Sequence, residues 1–255
     1  LEQIENAERE ISEFSALEGG YLAVSASEVA LHKSLLPALE VYKKAHPKIK
    51  ILLSNHSSPQ ALAALKNGQC ELAVISVAEA FDPAFEYEKI ADCRDVPVCR
   101  KDFFDGANGA GANGAGADGT GGADYAGGAD GANEPAADRT YTIAELAAFP
   151  LISLGRQTAS YDTYAEFFRA RGLDFRPAAE VATADQILPL VDYNLGVGLV
   201  PDVFLKKSAA KYLRLKTDSP LPSRSIYLVR RAKQPVSFAA RSLIRLLLQS
   251  AGGNK

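Results

Sequence analysis

A chain of 255 residues, 47% apolar and 23% charged, is long enough for one large globular domain or two small ones. Its formal net charge of −3 advertises no basic surface for nucleic acid, and no run of about 18 apolar residues is present to cross a membrane. The opening stretch LEQIENAEREISEF is too acidic and too interrupted for a signal peptide.

Three cysteines, Cys70, Cys93 and Cys99, stand at no metal-ligand spacing, which fits a reducing compartment. The chain starts at Leu1 and contains no methionine, as expected of a piece of a longer polypeptide. Leu1, Ile4, Ala7, Ile11 and Phe14 recur at spacings of three and four with Glu and Arg between them, predicting an amphipathic helix that ends at Glu18-Gly19-Gly20. Its apolar seam either packs on the domain or pairs with a second copy as a short coiled coil.

YLAVSA (21–26) reads as a strand, followed by a helix from about Glu28 to Ala45 that His46-Pro47 stops. KIKILL is a strand, PQALAALKNGQ a helix closed by Gly68, and ELAVISV a buried strand. This β-α-β-α-β order argues for a largely parallel sheet covered by helices. FEYEKIADCRDVPVCR (85–100) follows as extended chain.

Residues 105–133 are mostly Gly and Ala, with Asn and Asp filling most of the rest. Such a stretch has almost no side chain to bury and much backbone entropy to lose, so it is expected to be a disordered surface loop inserted into an otherwise complete fold. The alternative, a calcium-binding glycine-aspartate repeat, lacks the strict nine-residue period.

Beyond the insertion, TIAELAAFPLISLG predicts a short helix and a strand at Leu151–Leu154, and TASYDTYAEFFRARG a helix. RPAAEVAT is a strand, TADQILPLVDY a helix opened by a Thr183–Gln186 capping box, and NLGVGLVP a strand ended by Pro201. RSIYLVR and SFAARSLIRLLLQS close the chain as a strand and an amphipathic helix. Two similar α/β units joined by extended segments near 92–100 and 213–230 predict two lobes with a cleft between them. Ligands of open α/β sheets bind at the carboxyl ends of the strands, and here those ends carry Ser25 to Ser27, Ser54 to Ser58 and Gly155 to Ser160.

Several stretches resemble the effector-binding domain of LysR-type transcriptional regulators. LAVSASEVALHKSLLPALEVYKKAHPKIKILLSN followed by SSPQALAALKNGQCELAVIS is similar to that domain's start. TIAELAAFPLISL resembles the beginning of its second lobe, and VDYNLGVGLVP its V-x-x-G-x-G-x-x-x-x-P segment, with Asn194 where the family usually has Gly. LEQIENAEREI resembles the end of the linker helix, and Glu71 stands where the family favours Asp. The resemblance implies an α/β fold of two Rossmann-like lobes with a cleft, of the type 2 periplasmic-binding-protein kind, preceded by a linker helix. The expected division is a linker helix over 1–18, lobe I over 19–98 and 226–255, and lobe II over 99–225 with the insertion at 104–138. The resemblance also implies a small-molecule effector, a homodimer or tetramer, and contact with DNA only through an N-terminal winged helix-turn-helix that these 255 residues do not contain.

Sensing needs hydrogen-bond donors rather than reactive groups, and the first turn of a helix offers unpaired N–H groups and a partial positive charge to a carboxylate. Ser25, Ser27, Asn55, His56, Ser57, Ser58, Arg156, Thr158, Ser160 and Asn194 are the candidate effector-binding residues. Each Ser or Thr is equally what an N-cap alone requires. Of Ser57 and Ser58, one is needed as a cap: Ser58 with Pro59 behind it, or Ser57 in a capping box with Gln60. Arg156 suits a bidentate pair with a ligand carboxylate, or is simply a solvated surface arginine. Glu28 either recognises an amine or complements its helix dipole. Cys93 and Cys99 invite a redox switch but lie roughly 20 Å apart by strand rise, too far for a disulfide, and read better as buried small hydrophobes.

The expected function is therefore ligand sensing by a cytoplasmic transcription regulator, the ligand biasing the arrangement of subunits and DNA-binding heads. The alternative is a solute-binding protein of a transport system. No catalytic triad, metal cluster or phosphate loop points to an enzyme, and no cofactor is expected.

Overall fold

The computed structural model describes residues 20–77, 82–104, 139–156, 158–205 and 210–252. The expected linker helix over 1–18 and, apart from Phe104, the insertion expected over 104–138 lie outside the described residues.

In chain order, β1 (Tyr21–Ala26) leads into α1 (Glu28–Ala30), a π-type stretch (Leu31–Leu35) and α2 (Leu36–Ala45). Then come β2 (Lys50–Asn55), α3 (Ser58–Lys66), β3 (Leu72–Val77) and the long β4 (Phe85–Arg100). The next group is β5 (Thr140–Tyr141), α4 (Ile143–Ala148), β6 (Leu151–Leu154), α5 (Ala159–Arg169) and β7 (Ala179–Val181). A 3-10 turn (Ala184–Gln186) precedes α6 (Ile187–Asp192) and β8 (Val197–Pro201), and a second (Asp202–Leu205) follows. The chain continues through β9 (Tyr212–Arg214), β10 (Lys216–Thr217), β11 (Ser223–Arg231) and α7 (Phe238–Gly252).

The chain divides into two units, one ending at Cys93 and resuming at Ser223, the other comprising Arg94–Pro222. In the first unit β1 pairs in parallel with β2 on one side and β3 on the other, and β11 joins β3 antiparallel. The order is β2-β1-β3-β11, with the first part of β4 beyond β11, so β2 is an edge. The helix expected over 28–45 is present but not uniform. Pro37 has no N–H to give the Lys33 carbonyl, and the stretch just before it widens into π-type turns. One face of the sheet carries a core of Ala23, Ala61, Leu65, Ile75, Phe85 and Val229 beneath α3. Tyr42 of α2 is fully buried and bonds to Ala239 of α7.

In the second unit β8 lies between β4 and β6, antiparallel to the first and parallel to the second, and β7 continues the parallel run. The side chains of β4 and β6 alternate between two cores. Cys99 and Leu151 enter one with Tyr164, Phe168 and Leu199. Val98 and Ile152 enter the other with Ile187, Val191 and Val200. The strand alternation carried no sign of β9, which pairs with β4, or of the two-residue pair β5–β10. The Thr142–Glu145 capping box opens α4, Thr142 Oγ1 accepting from the Glu145 N–H at 3.1 Å. The expected Thr183–Gln186 box does not form. Gln186 Oε1 accepts from Ala182 N instead, and the Thr183 hydroxyl turns to Asp185, because the first turn here is the tighter 3-10 type.

Candidate functional site

β1 ends at Ala26, level with Val74 of β3, and β3 runs on to Val77. Ser76 therefore extends past the end of its neighbour, and side chains take the place of the missing strand. Its N–H donates to Ser27 Oγ at 3.0 Å, and its carbonyl accepts from Ser58 Oγ at 2.7 Å. Ser27 stands at the N-cap position of α1, yet its hydroxyl makes no cap bond. Its backbone N–H donates to Val74 O at 2.9 Å, which fixes the turn. Ser76 Oγ is itself buried with no hydrogen-bond partner. The sequence reading missed Ser76. Its signal was a lone polar side chain at the carboxyl end of an apolar strand, the place Ser25 holds in β1.

The ambiguity between Ser57 and Ser58 resolves in favour of Ser57 as the cap. Gln60 Oε1 accepts from Ser57 N–H at 3.1 Å and from Ser57 Oγ at 3.0 Å. Ser58 is the first residue of α3, and its hydroxyl goes to Ser76. Ser25 is fully buried and bonds to His56 Nδ1 at 3.1 Å. The His56 N–H donates to Ala26 O at 3.0 Å. His56 also lines an open trough of about 460 Å³ with Ala23, Leu52, Ser54, Ala64 and Gln69. Asn55 is exposed at the end of β2. At the carboxyl ends of β1 to β3, Ser27 and Ser58 thus meet at Ser76, Ser25 and His56 meet each other, and Asn55 and Ser57 are exposed.

In the second unit, Thr158 is an N-cap with its hydroxyl occupied. It accepts from Tyr161 N at 3.2 Å and donates to Gly155 O at 2.8 Å. Ser160 is buried in the first turn of α5. The Arg156 side chain is 75% exposed and pairs loosely with Glu180 at 3.4 Å, a contact worth about 0–1 kcal/mol. Asn194 lies elsewhere. It follows α6 at the amino end of β8, whereas Gly155 to Ser160 follow the carboxyl end of the parallel strand β6. Its φ is +61°, and Asn194 N to Val191 O (2.9 Å) with Leu195 N to Leu190 O (3.1 Å) makes a Schellman turn. The left-handed turn expected of a Gly position is kept by Asn, whose backbone ends α6.

The second unit also holds a buried polar group that the sequence did not disclose. The Tyr164 hydroxyl donates to the Asp95 carboxylate, and Ser153 Oγ is buried with no hydrogen-bond partner. Cys70, Cys93 and Cys99 are all buried thiols, not joined in disulfides. Burial pushes the Cys99 thiol up to about 12, with the Asp102 carboxylate adding to the effect, and raises Cys70 as well. Among the described residues no cluster of three or more His, Cys, Asp or Glu could hold a metal ion, and no helix is long and apolar enough to cross a membrane.

The family model described as the LysR substrate binding domain matches residues 15–252. The HTH-type transcriptional regulator CysB of Burkholderia cenocepacia is 24% identical over 216 residues, covering 84% of this chain. This chain spans 59% of that curated relative's length. Two solved structures share the fold. The effector binding domain of QuiR in complex with shikimate aligns with a TM-score of 0.68 at 15% identity, over 92% of this chain and 98% of that one. The BenM effector binding domain with its effector benzoate aligns with a TM-score of 0.65 at 17% identity, over 90% and 91%. With nearly its whole length matched by the family model, the chain belongs to the LysR substrate-binding domain family.

Proposed function

We propose that this chain is the effector-sensing region of a LysR-type transcription regulator, and that it holds a small carboxylate-bearing molecule at the carboxyl ends of β1 to β3. The observation that carries the reading is the hydroxyl of Ser27. A helix-start serine serving only as a cap spends its oxygen on the helix, whereas Ser27 Oγ receives the Ser76 N–H and keeps its own proton for a ligand. The shikimate bound by QuiR and the benzoate bound by BenM are both carboxylates. Ser25, Asn55, His56, Ser57 and Ser58 complete the site in this unit, and Arg156, Thr158 and Ser160 are groups of the second unit, taken by itself, that suit a polar ligand. Self-association to a dimer or tetramer, DNA contact through an N-terminal winged helix-turn-helix outside these residues, a cytoplasmic setting and the absence of catalysis belong to the same reading. Family membership favours it over a transport-system binding protein.

A thermal-shift screen of small carboxylates tests it. A true effector raises the melting temperature of the parent chain and loses most of that effect in Ser27→Ala. A hit that stabilises parent, Ser27→Ala and Ser58→Ala equally refutes the site.

A further inference from the structure

We infer that the effector carries a hydrogen-bond donor beside its carboxylate, as an α-hydroxy or α-amino acid does, and that Ser58 reads that donor. The inference rests on the carboxylate reading above and sharpens it. The proton directions of two hydroxyls are fixed by the backbone of one residue. A peptide N–H can only donate, so Ser27 Oγ must accept from Ser76 N and is left with a proton to give. A peptide carbonyl can only accept, so Ser58 must spend its proton on Ser76 O and is left with lone pairs. Ser57 at the rim is in the same state as Ser58, because Gln60 Oε1, already receiving the Ser57 N–H, also takes its hydroxyl proton.

Ser27 and Ser58 occupy the N–H and C=O of a single strand residue, groups that face one side of an extended chain, so the donor and the acceptor they offer are neighbours. A bare carboxylate satisfies Ser27 but sets its own lone pairs against those of Ser58. An acid bearing an OH or NH3+ on the adjoining carbon satisfies both. The hydroxyl of Ser76 itself is buried without a partner.

Isothermal titration of the 255-residue chain with matched acids decides the matter: propionate, lactate and alanine; phenylacetate, mandelate and phenylglycine; succinate, malate and aspartate. Members of each set differ only in whether the α-carbon bears H, OH or NH3+. The expected result is that the tightest set shows about a tenfold preference for its OH or NH3+ member over the unsubstituted acid. Ser58→Ala should cut that preference to about twofold or less, Ser58→Thr should restore it, and Ser27→Ala should weaken all members of the set alike. Thermal melts of each variant confirm that it is folded. An unsubstituted acid that binds as tightly as its substituted partners overturns this inference while leaving the carboxylate site standing, as does a preference that survives Ser58→Ala in a folded variant. Failure of all nine acids to bind at millimolar concentration overturns the carboxylate reading and this inference with it.

Discussion

The Tyr42 hydroxyl donates to the backbone carbonyl of Ala239 at 3.1 Å, across 197 positions of sequence. The bond fastens α2 to α7, and His46 flanks it, 4.8 Å from the Tyr42 ring and edge-on to Phe238 at 6.0 Å. Tyr42→Phe keeps the ring and removes the bond, so it should destabilise the first unit by about 1 kcal/mol in urea denaturation. Tyr42→Ala removes a fully buried ring and should cost about 3–5 kcal/mol. Equal losses from the two variants would mean that the ring's packing contributes little.

Buried thiols and phenols make the fold sensitive to alkali, Cys99 and Tyr42 most of all. Burial pushes Cys99 from 9.0 to about 12, and Tyr42 from 10.0 to about 12 with Glu71 adding to it. In both cases the folded chain holds its proton more tightly than the unfolded one. Their stabilisation is therefore complete below the unfolded values and is lost as pH rises from 9 for Cys99, and from 10 for Tyr42, toward 12. Urea midpoints should fall steadily over that range. Cys99→Ala should lessen the fall between pH 9 and 10, leaving the part due to Cys70, which burial also raises. The same burial should keep all three thiols silent toward a disulfide reagent at neutral pH until denaturant is added. Rapid labelling of the native chain would reopen the redox-switch reading.

Local pattern was enough for much of the fold. The strand over Tyr21–Ala26 and the one over Leu151–Leu154 were readable to the residue, because each is a short apolar run bounded by turn signals. What escaped depends on contacts distant in sequence. Nothing in RSIYLVR says that β11 returns to lie against β3, and Tyr212–Arg214 is too short to show alternation. The site divides along the same line. Serines at strand ends and helix starts were visible, but whether each caps or faces a ligand depends on Ser76, which sits 18 residues from Ser58 and 49 from Ser27. Thr158 looked the same in sequence, and it caps.

Gly196 should tolerate no side chain. A Cβ there would lie 1.9 Å from the Pro150 carbonyl oxygen, and that oxygen is held in place by the Val197 N–H at 2.9 Å. Gly196→Ala must displace backbone, and a loss of more than about 4 kcal/mol or failure of the second unit to fold is expected. Gly172 is the internal control. Its φ is +72°, but no atom lies within 4 Å of where its Cβ would be. Gly172→Ala should cost only the roughly 1–2 kcal/mol of a left-handed backbone. Melting curves that rank the two variants the other way would show that Pro150 yields.

Asn194 separates a residue of the turn from a residue of the site. Its φ of +61° suits Gly and Asn and penalises β-branched residues, which crowd the backbone in that conformation. Asn194→Gly should leave stability within about 0.5–1 kcal/mol of the parent, since Gly is the commonest residue at this position of a Schellman turn. Asn194→Val should lose about 1–2 kcal/mol or more. Neither change should alter effector affinity once the protein is folded, because the turn stands at the amino end of β8 and its hydrogen bonds run through the backbone. Ser27→Ala should weaken the ligand, and its cost in stability should come from the Ser76 N–H that it strands rather than from the helix, since its hydroxyl makes no cap bond. A titration in which Asn194→Gly loses as much affinity as Ser27→Ala would show that the Asn194 side chain contacts the ligand.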